Sequence, residues 1–68
     1  MAKGLYEVLS GESYFVRANS EDEALAIFFV SQGYMEKADF PSFEITDEDL
    51  DSVDYAGADT TAEYIREL

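Results

Sequence analysis

One stretch of the chain, residues 20–33 (SEDEALAIFFVSQG), contains a helix start, a helix body and a helix stop. Ser20 followed three residues later by Glu23 is a capping-box pattern, and the acidic triplet that ends at Glu23 suits the positive end of the helix dipole. Residues 24–30 are all apolar, and Gly33 can take the left-handed conformation that closes many helices. The pattern predicts a helix over this stretch.

Wound at about 100° per residue, the apolar run covers both sides of the predicted helix. The two sides consist of Leu25, Phe28 and Phe29 on one and Ala26, Ile27 and Val30 on the other. Since a surface helix normally has one apolar stripe, two arrangements are open. Either a sheet and a second layer cover this helix, or one side is left for another chain. In the second case the protein is a homo-oligomeric structural or regulatory subunit that associates through Ala26, Ile27 and Val30.

Two strand patterns precede this helix. Residues 4–10 (GLYEVLS) and 13–19 (SYFVRAN) are rich in aromatic and β-branched residues, and a short loop with Gly11 separates them, which predicts a β-hairpin. Side chains alternate along a strand. The residues expected to line the core are Tyr6, Val8, Tyr14, Val16 and Ala18. The opposite face carries Leu5, Leu9 and Phe15 and is apolar enough to need a cover.

A third strand is predicted after the helix. The chain runs as a connection to Pro41, which is tolerated at the first residue of a strand. Residues 42–46 (SFEIT) then alternate, with Phe43 and Ile45 against Glu44. This alternation predicts a strand beside the hairpin.

Residues 46–57 carry a second helix start. Thr46 is a candidate N-cap, and Asp49 stands at the third helical position as its capping-box partner. The apolar residues of one side recur at intervals of three and are Leu50, Val53 and Ala56. Gly57 is expected to end this short helix.

A final short helix is predicted within residues 59–68. Asp59 or Thr60 is its candidate N-cap, and Thr60 and Glu63 have the capping-box spacing. The apolar residues Ala62, Ile65 and Leu68 repeat every third residue. Together the patterns predict a single α+β domain over residues 1–68, with a small three-stranded antiparallel sheet packed on a central helix and one or two short C-terminal helices.

The residue types that are absent narrow the function. The 68 residues contain no cysteine and no histidine, so disulfides, thiolate metal sites and the commonest general base are excluded. Asp47, Asp49 and Asp51 alternate like ligands of a calcium loop, but Ser52 and Ala58 stand where that loop needs glycine and glutamate. We expect no enzyme activity, no metal and no cofactor. The N-terminus has a single Lys3 and no apolar h-region, and the longest apolar run is far short of a membrane span, so we expect neither a signal peptide nor a transmembrane segment. A cytoplasmic location is the default expectation.

Net charge is the most informative global property. Sixteen acidic and four basic residues leave a net charge of −12, while 47% of the residues are hydrophobic. This apolar fraction predicts a folded domain with an acidic surface rather than a disordered tail. Nucleic acid and anionic membranes are not expected as direct partners, because both are bound through Lys and Arg. The complementary partner is a basic (Lys/Arg-rich) protein.

The carboxylates concentrate between residues 44 and 59. Seven of them lie there without an intervening Lys or Arg: Glu44, Asp47, Glu48, Asp49, Asp51, Asp54 and Asp59. On a helix, Asp47, Asp51 and Asp54 share one side at successive rises of about 6 and about 4.5 Å, comparable with the spacing of about 3.4 Å between phosphates along one DNA strand. These seven residues and Tyr55 are the candidate partner-binding residues. The alternative is a solvated surface that serves solubility alone.

Three tyrosines lie near this acidic half of the chain, namely Tyr34, Tyr55 and Tyr64. Tyrosine is enriched at interfaces because its ring is apolar and its hydroxyl can stay hydrated. The same side chains can instead close a small core. The sequence pattern leaves both interpretations open.

A short, cysteine-free acidic chain with a hairpin, a central helix and clustered carboxylates resembles the small proteins with which bacteriophages block host defence, including anti-CRISPR and anti-restriction DNA mimics. The YEV and YFV strands followed by SEDEALAIF also resemble the opening common in small phage and mobile-element proteins. The resemblance implies an inhibitor in which Asp47, Asp51 and Asp54 imitate phosphates, with a field widened by Glu44, Glu48, Asp49 and Asp59. An immunity protein or antitoxin that neutralises a basic nuclease shares this mechanism.

Overall fold

The hairpin predicted at the start of the chain is present in the computed structural model, which describes residues 3–57 and 63–68. Strand β1 is Gly4–Ser10 and strand β2 is Ser13–Ala18, and the two pair antiparallel. Gly11 in the connecting loop has a φ of +75°, a left-handed conformation that favours glycine. The predicted hairpin is thereby confirmed.

Helix α1 is Glu21–Ser31, and its predicted start at Ser20 is confirmed. The Ser20 hydroxyl accepts a hydrogen bond from the backbone N–H of Glu23 at 3.2 Å. The Glu23 carboxylate accepts from the backbone N–H of Asn19 at 3.0 Å. The return bond of the predicted capping box therefore goes to the residue before the N-cap and not to Ser20 itself.

The end of α1 also follows the prediction. Gly33 has a φ of +80°, and its N–H donates to the carbonyl of Val30 at 3.1 Å. The N–H of Tyr34 donates to the carbonyl of Phe29 at 3.0 Å. These two bonds form a Schellman motif, which ends the helix and fixes the backbone of Tyr34.

Helix α1 is covered on two sides, as the first of the two predicted arrangements requires. One side packs on the hairpin, and the buried cluster there contains Tyr6, Val8, Val16, Ala18, Ala24, Ala26, Ile27 and Phe28. The chain that follows α1 supplies the second layer, with Ile45 buried and Phe40, Phe43, Leu50 and Val53 partly buried against the same cluster. Ala26 and Ile27 are fully buried inside the chain.

The predicted third strand at residues 42–46 is wrong. This segment has no strand pairing, and the N–H of Phe43 donates to the carbonyl of Phe40 at 3.1 Å within a turn. Ile45 is 8% exposed and packs in the core. The alternation of Phe43 and Ile45 therefore reflects how this connection packs over α1, since a strand also needs a hydrogen-bonded neighbour.

The second helix begins as predicted but ends six residues early. Helix α2 is Asp47–Asp51, and Thr46 and Asp49 form the reciprocal capping box. Ser52 is the C-cap, and its hydroxyl donates to the carbonyl of Asp49 at 2.7 Å. Strand β3 follows as Asp54–Gly57 and pairs antiparallel with β2, so the prediction of a helix through Gly57 is wrong.

The predicted C-terminal helix is wrong as well. Glu63–Glu67 forms strand β4, which pairs antiparallel with β1 and places Ile65 opposite Val8. The proposed N-cap residues Asp59 and Thr60 lie outside the described residues. The sheet order is β3-β2-β1-β4, so the α+β class is confirmed while the predicted three strands are four.

The sheet face away from α1 is partly polar. Leu9 is 3% exposed on this face, and Leu5 and Phe15 are half-buried. The Glu7 carboxylate accepts hydrogen bonds from the Ser13 hydroxyl at 3.0 Å and from Nε of Arg66 at 2.9 Å. This network binds β1 to both β2 and β4, and it explains how a buried serine on β2 is satisfied.

Candidate functional site

The structure divides the predicted partner-binding residues between three places. Glu44 lies exposed in the connection before α2, and Asp54 and Tyr55 lie exposed on strand β3. The residues of α2 itself are Asp47, Glu48, Asp49 and Asp51. Asp59 lies outside the described residues.

The predicted row of three carboxylates along one helix is not present. Asp47 and Asp51 belong to α2, but Asp54 is on β3, where it pairs with Phe15 of β2. The rises calculated for a continuous helix therefore do not apply to Asp54. Any imitation of phosphates cannot rest on that spacing.

Asp49 serves the fold. Its carboxylate accepts a hydrogen bond from the backbone N–H of Thr46 at 3.0 Å and from the ammonium of Lys3, and its side chain is 12% exposed. Burial raises the pKa of Asp49, but the hydrogen bonds from Lys3 and Thr46 and the charge of Lys3 outweigh it, so the pKa lies below the ordinary 3.8. Both carboxylate oxygens of Asp49 accept hydrogen bonds within the chain. Asp49 is therefore not available to bind a partner.

Asp47 is also paired, but at the surface. Its carboxylate accepts from the ammonium of Lys37 at 2.9 Å, and its side chain is 92% exposed. The hydrogen bond from Lys37 and the charge of Lys37 lower the pKa of Asp47. Exposed ion pairs of this kind are weak, so a cationic partner can compete for Asp47 at small cost.

Three carboxylates around α2 remain exposed and form no ion pair within residues 3–57 and 63–68: Glu44, Glu48 and Asp51. We refer to these three as the α2 acidic surface. Glu48 and Asp51 are three residues apart on the helix and therefore neighbours on one side. Among the predicted acidic residues of the described chain, Asp54 on β3 is likewise exposed and forms no ion pair, but it lies on a different element.

The basic residues of the chain are largely used internally. Three of the four pair with carboxylates: Lys3 with Asp49, Lys37 with Asp47 and Arg66 with Glu7. Arg17, the fourth, is exposed on β2 and makes no ion pair within the part of the chain that the structure describes. The negative charge of the surface is therefore not balanced by neighbouring cations.

A group of tyrosines lies at the β3 edge, and of its members only Tyr34 and Tyr55 were predicted from the sequence as possible interface residues. The ring of Tyr14 packs against Phe28 with centroids 4.9 Å apart and edge-to-face against Tyr55 at 5.5 Å. Its hydroxyl donates to the Glu12 carboxylate at 2.6 Å. Tyr55 is 58% exposed and Tyr34 is 71% exposed. We refer to Tyr14, Tyr34 and Tyr55 as the tyrosine surface.

Tyr34 belongs to the same end of the fold, because its N–H donates to the carbonyl of Phe29, the neighbour of the Phe28 on which Tyr14 packs. The hydrogen bond to Glu12, followed by burial and the negative charges of Glu12, Tyr55 and Tyr34, raises the pKa of Tyr14 to about 12. The three tyrosines therefore belong to the end of the molecule where α1 finishes.

The opposite sheet edge carries an apolar groove. Tyr64 on β4 is 45% exposed, and a cavity of about 250 Å³ opens between α1 and the strands β1 and β4. Its lining is Val8, Leu9, Ser10, Leu25, Phe28, Phe29, Tyr64 and Ile65. No group of three or more Asp or Glu within residues 3–57 and 63–68 is arranged to hold a metal ion.

The helix side assigned to self-association lies inside the fold. Ala26 and Ile27 are each 0% exposed, and Val30 is half-buried. Association through Ala26 and Ile27 would therefore require a rearrangement of the elements that cover them. Oligomerisation by another surface stays a prediction.

Comparison with protein-family models, curated proteins and solved structures finds no match to this chain. In the described part of the chain, no helix has the length and apolar character needed to span a membrane.

Proposed function

We propose that this protein is a non-enzymatic inhibitor that binds a Lys/Arg-rich, nucleic-acid-binding surface of another protein and blocks it, as small acidic phage-encoded DNA mimics do. The α2 acidic surface is its proposed contact region, with Asp47 joining it when Lys37 is displaced. Neither a metal nor a cofactor takes part in this proposal.

One observation carries the proposal. A net charge of −12 is held on a folded domain whose own Lys3, Lys37 and Arg66 are already paired with Asp49, Asp47 and Glu7. Like charges of this number repel each other in the compact state. A basic partner relieves that repulsion, so complex formation is favoured by the same charges that weaken the free protein.

A nucleic-acid-binding surface is the proposed target because it presents many Lys and Arg side chains together. Such a surface normally holds counterions or phosphates, and a dense set of carboxylates displaces both. Glu44, Glu48 and Asp51 are exposed and form no ion pair among the described residues. The proposal rests on the density of free carboxylates and not on a helical repeat of phosphate-like spacing.

Capture from a bacterial lysate at low and at high salt tests the proposal. The immobilised protein should retain a basic nucleic-acid-binding protein at low salt and release it as screening rises. Excess duplex DNA should also release it, because the two ligands compete for one surface. A protein retained equally at high salt or in the presence of DNA would contradict the proposal.

Two variants of equal charge locate the contact. Glu44→Gln, Glu48→Gln and Asp51→Asn together remove three charges from the α2 acidic surface. Glu21→Gln, Asp22→Asn and Glu67→Gln remove three exposed charges elsewhere. The first triple variant should lose retention and the second should keep it. Equal losses would mean that only total charge matters, as in the solubility interpretation.

An immunity protein that neutralises a basic nuclease would use the same contacts. The captured protein distinguishes the two targets, since a nuclease encoded beside its inhibitor and a host-defence protein have different activities. Inhibition of that activity by added protein is the decisive measurement in either case.

A further inference from the structure

We propose that the tyrosine surface binds an arginine side chain of the basic protein partner, so that Tyr34 and Tyr55 form a second, specific contact beside the acidic one. The proposal rests on the proposed function for the basic character of the partner. It adds to that function the type of partner side chain that is bound, arginine, and the place on this fold where it binds, the tyrosine surface.

The rings are held in place before any partner binds. Tyr14 lies between Phe28 and Tyr55, with ring centroids at 4.9 and 5.5 Å, and its hydroxyl is tied to Glu12 at 2.6 Å. Tyr55 therefore packs against Tyr14 on one side, while the residue as a whole is 58% exposed. A ring that is already ordered loses little conformational entropy on binding.

Tyr34 is fixed through its backbone. Its N–H donates to the carbonyl of Phe29 at 3.0 Å in the Schellman motif that ends α1. The side chain is 71% exposed, the largest exposed fraction among the large hydrophobic side chains of the described residues. An exposed ring on an anchored backbone position is typical of a binding contact rather than of a core residue.

The charge around these rings favours a cation. The Glu12 carboxylate accepts a hydrogen bond from the Tyr14 hydroxyl and therefore lies beside these rings. Asp54 pairs with Phe15 and lies on the other face of the sheet. The last turn of α1, which leads to Tyr34, contains no basic residue, so the negative end of the helix dipole is uncompensated there. A cationic side chain therefore gains from two sources at this end of the molecule, the Glu12 carboxylate and the carboxyl end of α1.

Arginine fits this surface better than other partners. Its planar guanidinium stacks on aromatic rings and also donates to carboxylates. Nucleic acid is opposed by the net charge of −12. A second copy of this chain would bring the same carboxylates together, and like charges in contact are unfavourable.

Calorimetric titration with a hexa-arginine peptide tests the inference. The double variant Tyr34→Leu, Tyr55→Leu keeps the net charge and should bind about five- to thirtyfold more weakly, because each exposed cation–π contact is worth about two- to fivefold. Tyr64→Leu is the matched control, since Tyr64 is 45% exposed on the opposite sheet edge. It should bind like the unmodified protein.

The conservative variant and a second peptide separate the ring from the fold. Tyr34→Phe, Tyr55→Phe retains both rings and should retain most of the affinity. Tyr34→Leu alone avoids any change to the Tyr14 packing and should still cost about two- to fivefold. Hexa-lysine should be less sensitive to the leucine variants than hexa-arginine. Leucine variants that bind hexa-arginine as tightly as Tyr64→Leu would overturn the inference.

The same titration distinguishes this inference from the proposed function. If Glu44→Gln, Glu48→Gln, Asp51→Asn weakens binding and the tyrosine variants do not, the acidic contact stands and the arginine contact falls. If only the tyrosine variants weaken binding, the arginine contact stands and the α2 acidic surface is not the site.

Discussion

The α2 region and the tyrosine surface hold their exposed groups in opposite ways. In the α2 region, polar contacts select which carboxylates remain available: Asp49 is occupied by Thr46 and Lys3, while Glu48 and Asp51 are not paired in the described structure. At the tyrosine surface, Phe28 packs beneath Tyr14, and Tyr14 in turn supports the ring of Tyr55. In the α2 region, hydrogen bonds and ion pairs determine which side chains are available to a partner. At the tyrosine surface, packing on the core determines this.

The abundance of a residue type therefore does not identify a site. Sixteen carboxylates are present, yet their roles differ according to which backbone N–H or ammonium group lies within hydrogen-bond distance. The chain has fewer tyrosines than carboxylates. A tyrosine ring that packs on another ring on one side and is exposed to solvent on the other is nevertheless suited to bind a partner. The two forms of support can be removed separately by substitution.

The largest expected effect is on the support of the tyrosine surface. Phe28 is 2% exposed and contacts the Tyr14 ring, so Phe28→Ala should lower the free energy of unfolding by about 3–5 kcal/mol. Urea denaturation measures the loss, and near-UV circular dichroism should report weaker ordering of Tyr14. In a domain of 68 residues this loss is expected to populate the unfolded state.

A variant that retains the fold keeps this prediction testable. Phe28→Leu preserves an apolar side chain and should cost less than Phe28→Ala, while the near-UV signal of Tyr14 should still weaken. An unchanged midpoint of denaturation for Phe28→Ala would mean that Phe28 does not support this end of the fold.

The next effect concerns the carboxylates of α2. Asp49→Ala removes the capping-box acceptor of Thr46 and the partner of Lys3, and loss of a cap costs about 1 kcal/mol. Asp51→Ala is the matched control two residues away, because Asp51 is exposed and has no ion pair among the described residues. The midpoint temperature of thermal unfolding should fall clearly for Asp49→Ala and change little for Asp51→Ala.

The pH dependence of the same contact has a defined direction. Because the pKa of Asp49 is lowered in the folded state, its stabilising contribution is present above the ordinary pKa of 3.8 and is lost as pH falls through the lowered value. The difference in free energy of unfolding between the unmodified protein and Asp49→Asn should therefore shrink from pH 7 to pH 3. A difference that is constant over this range would assign the effect to packing.

The local part of the fold was predictable from the sequence. Ser20, Gly33 and the Thr46–Asp49 pair act through residues a few positions away, and all three signals are confirmed. The hairpin is equally local, because a short loop joins its strands. Signals of this kind depend on backbone groups that the sequence itself places close together.

The remaining elements depend on contacts between distant residues. Ile65 pairs with Val8 and Tyr55 with Tyr14, and no periodicity within residues 50–68 indicates that these strands are needed at the two edges of the hairpin. Ala56, assigned to an apolar helix side, is exposed. Repeats at intervals of three in short segments therefore fit a strand as well as a helix once tertiary pairing is included.

The candidate site was predictable in composition but not in arrangement. Glu44, Glu48 and Asp51 were among the predicted residues, whereas the structural use of Asp49 required the position of Lys3, which is 46 residues away. Tyr14 was assigned to the core, and its pairing with Tyr55 makes it the centre of the tyrosine surface. The presence of Tyr14 and Tyr55 in two separate segments predicts a shared surface only when the pairing of strands β2 and β3 is known.

The smallest expected effect concerns the Tyr14 hydroxyl. Its pKa is raised to about 12 from the ordinary 10.0, so the neutral form is favoured in the folded state, and its contribution is present below pH 10 and lost as pH rises toward 12. Tyr14→Phe removes this group while the ring remains. The step near pH 12 in a ¹³Cζ titration of the tyrosines should disappear in Tyr14→Phe, while hexa-arginine binding should change little because the ring is retained. A step that persists in this variant would mean that another tyrosine carries the hydrogen bond to Glu12, and the support of Tyr55 would then have to come from a different ring.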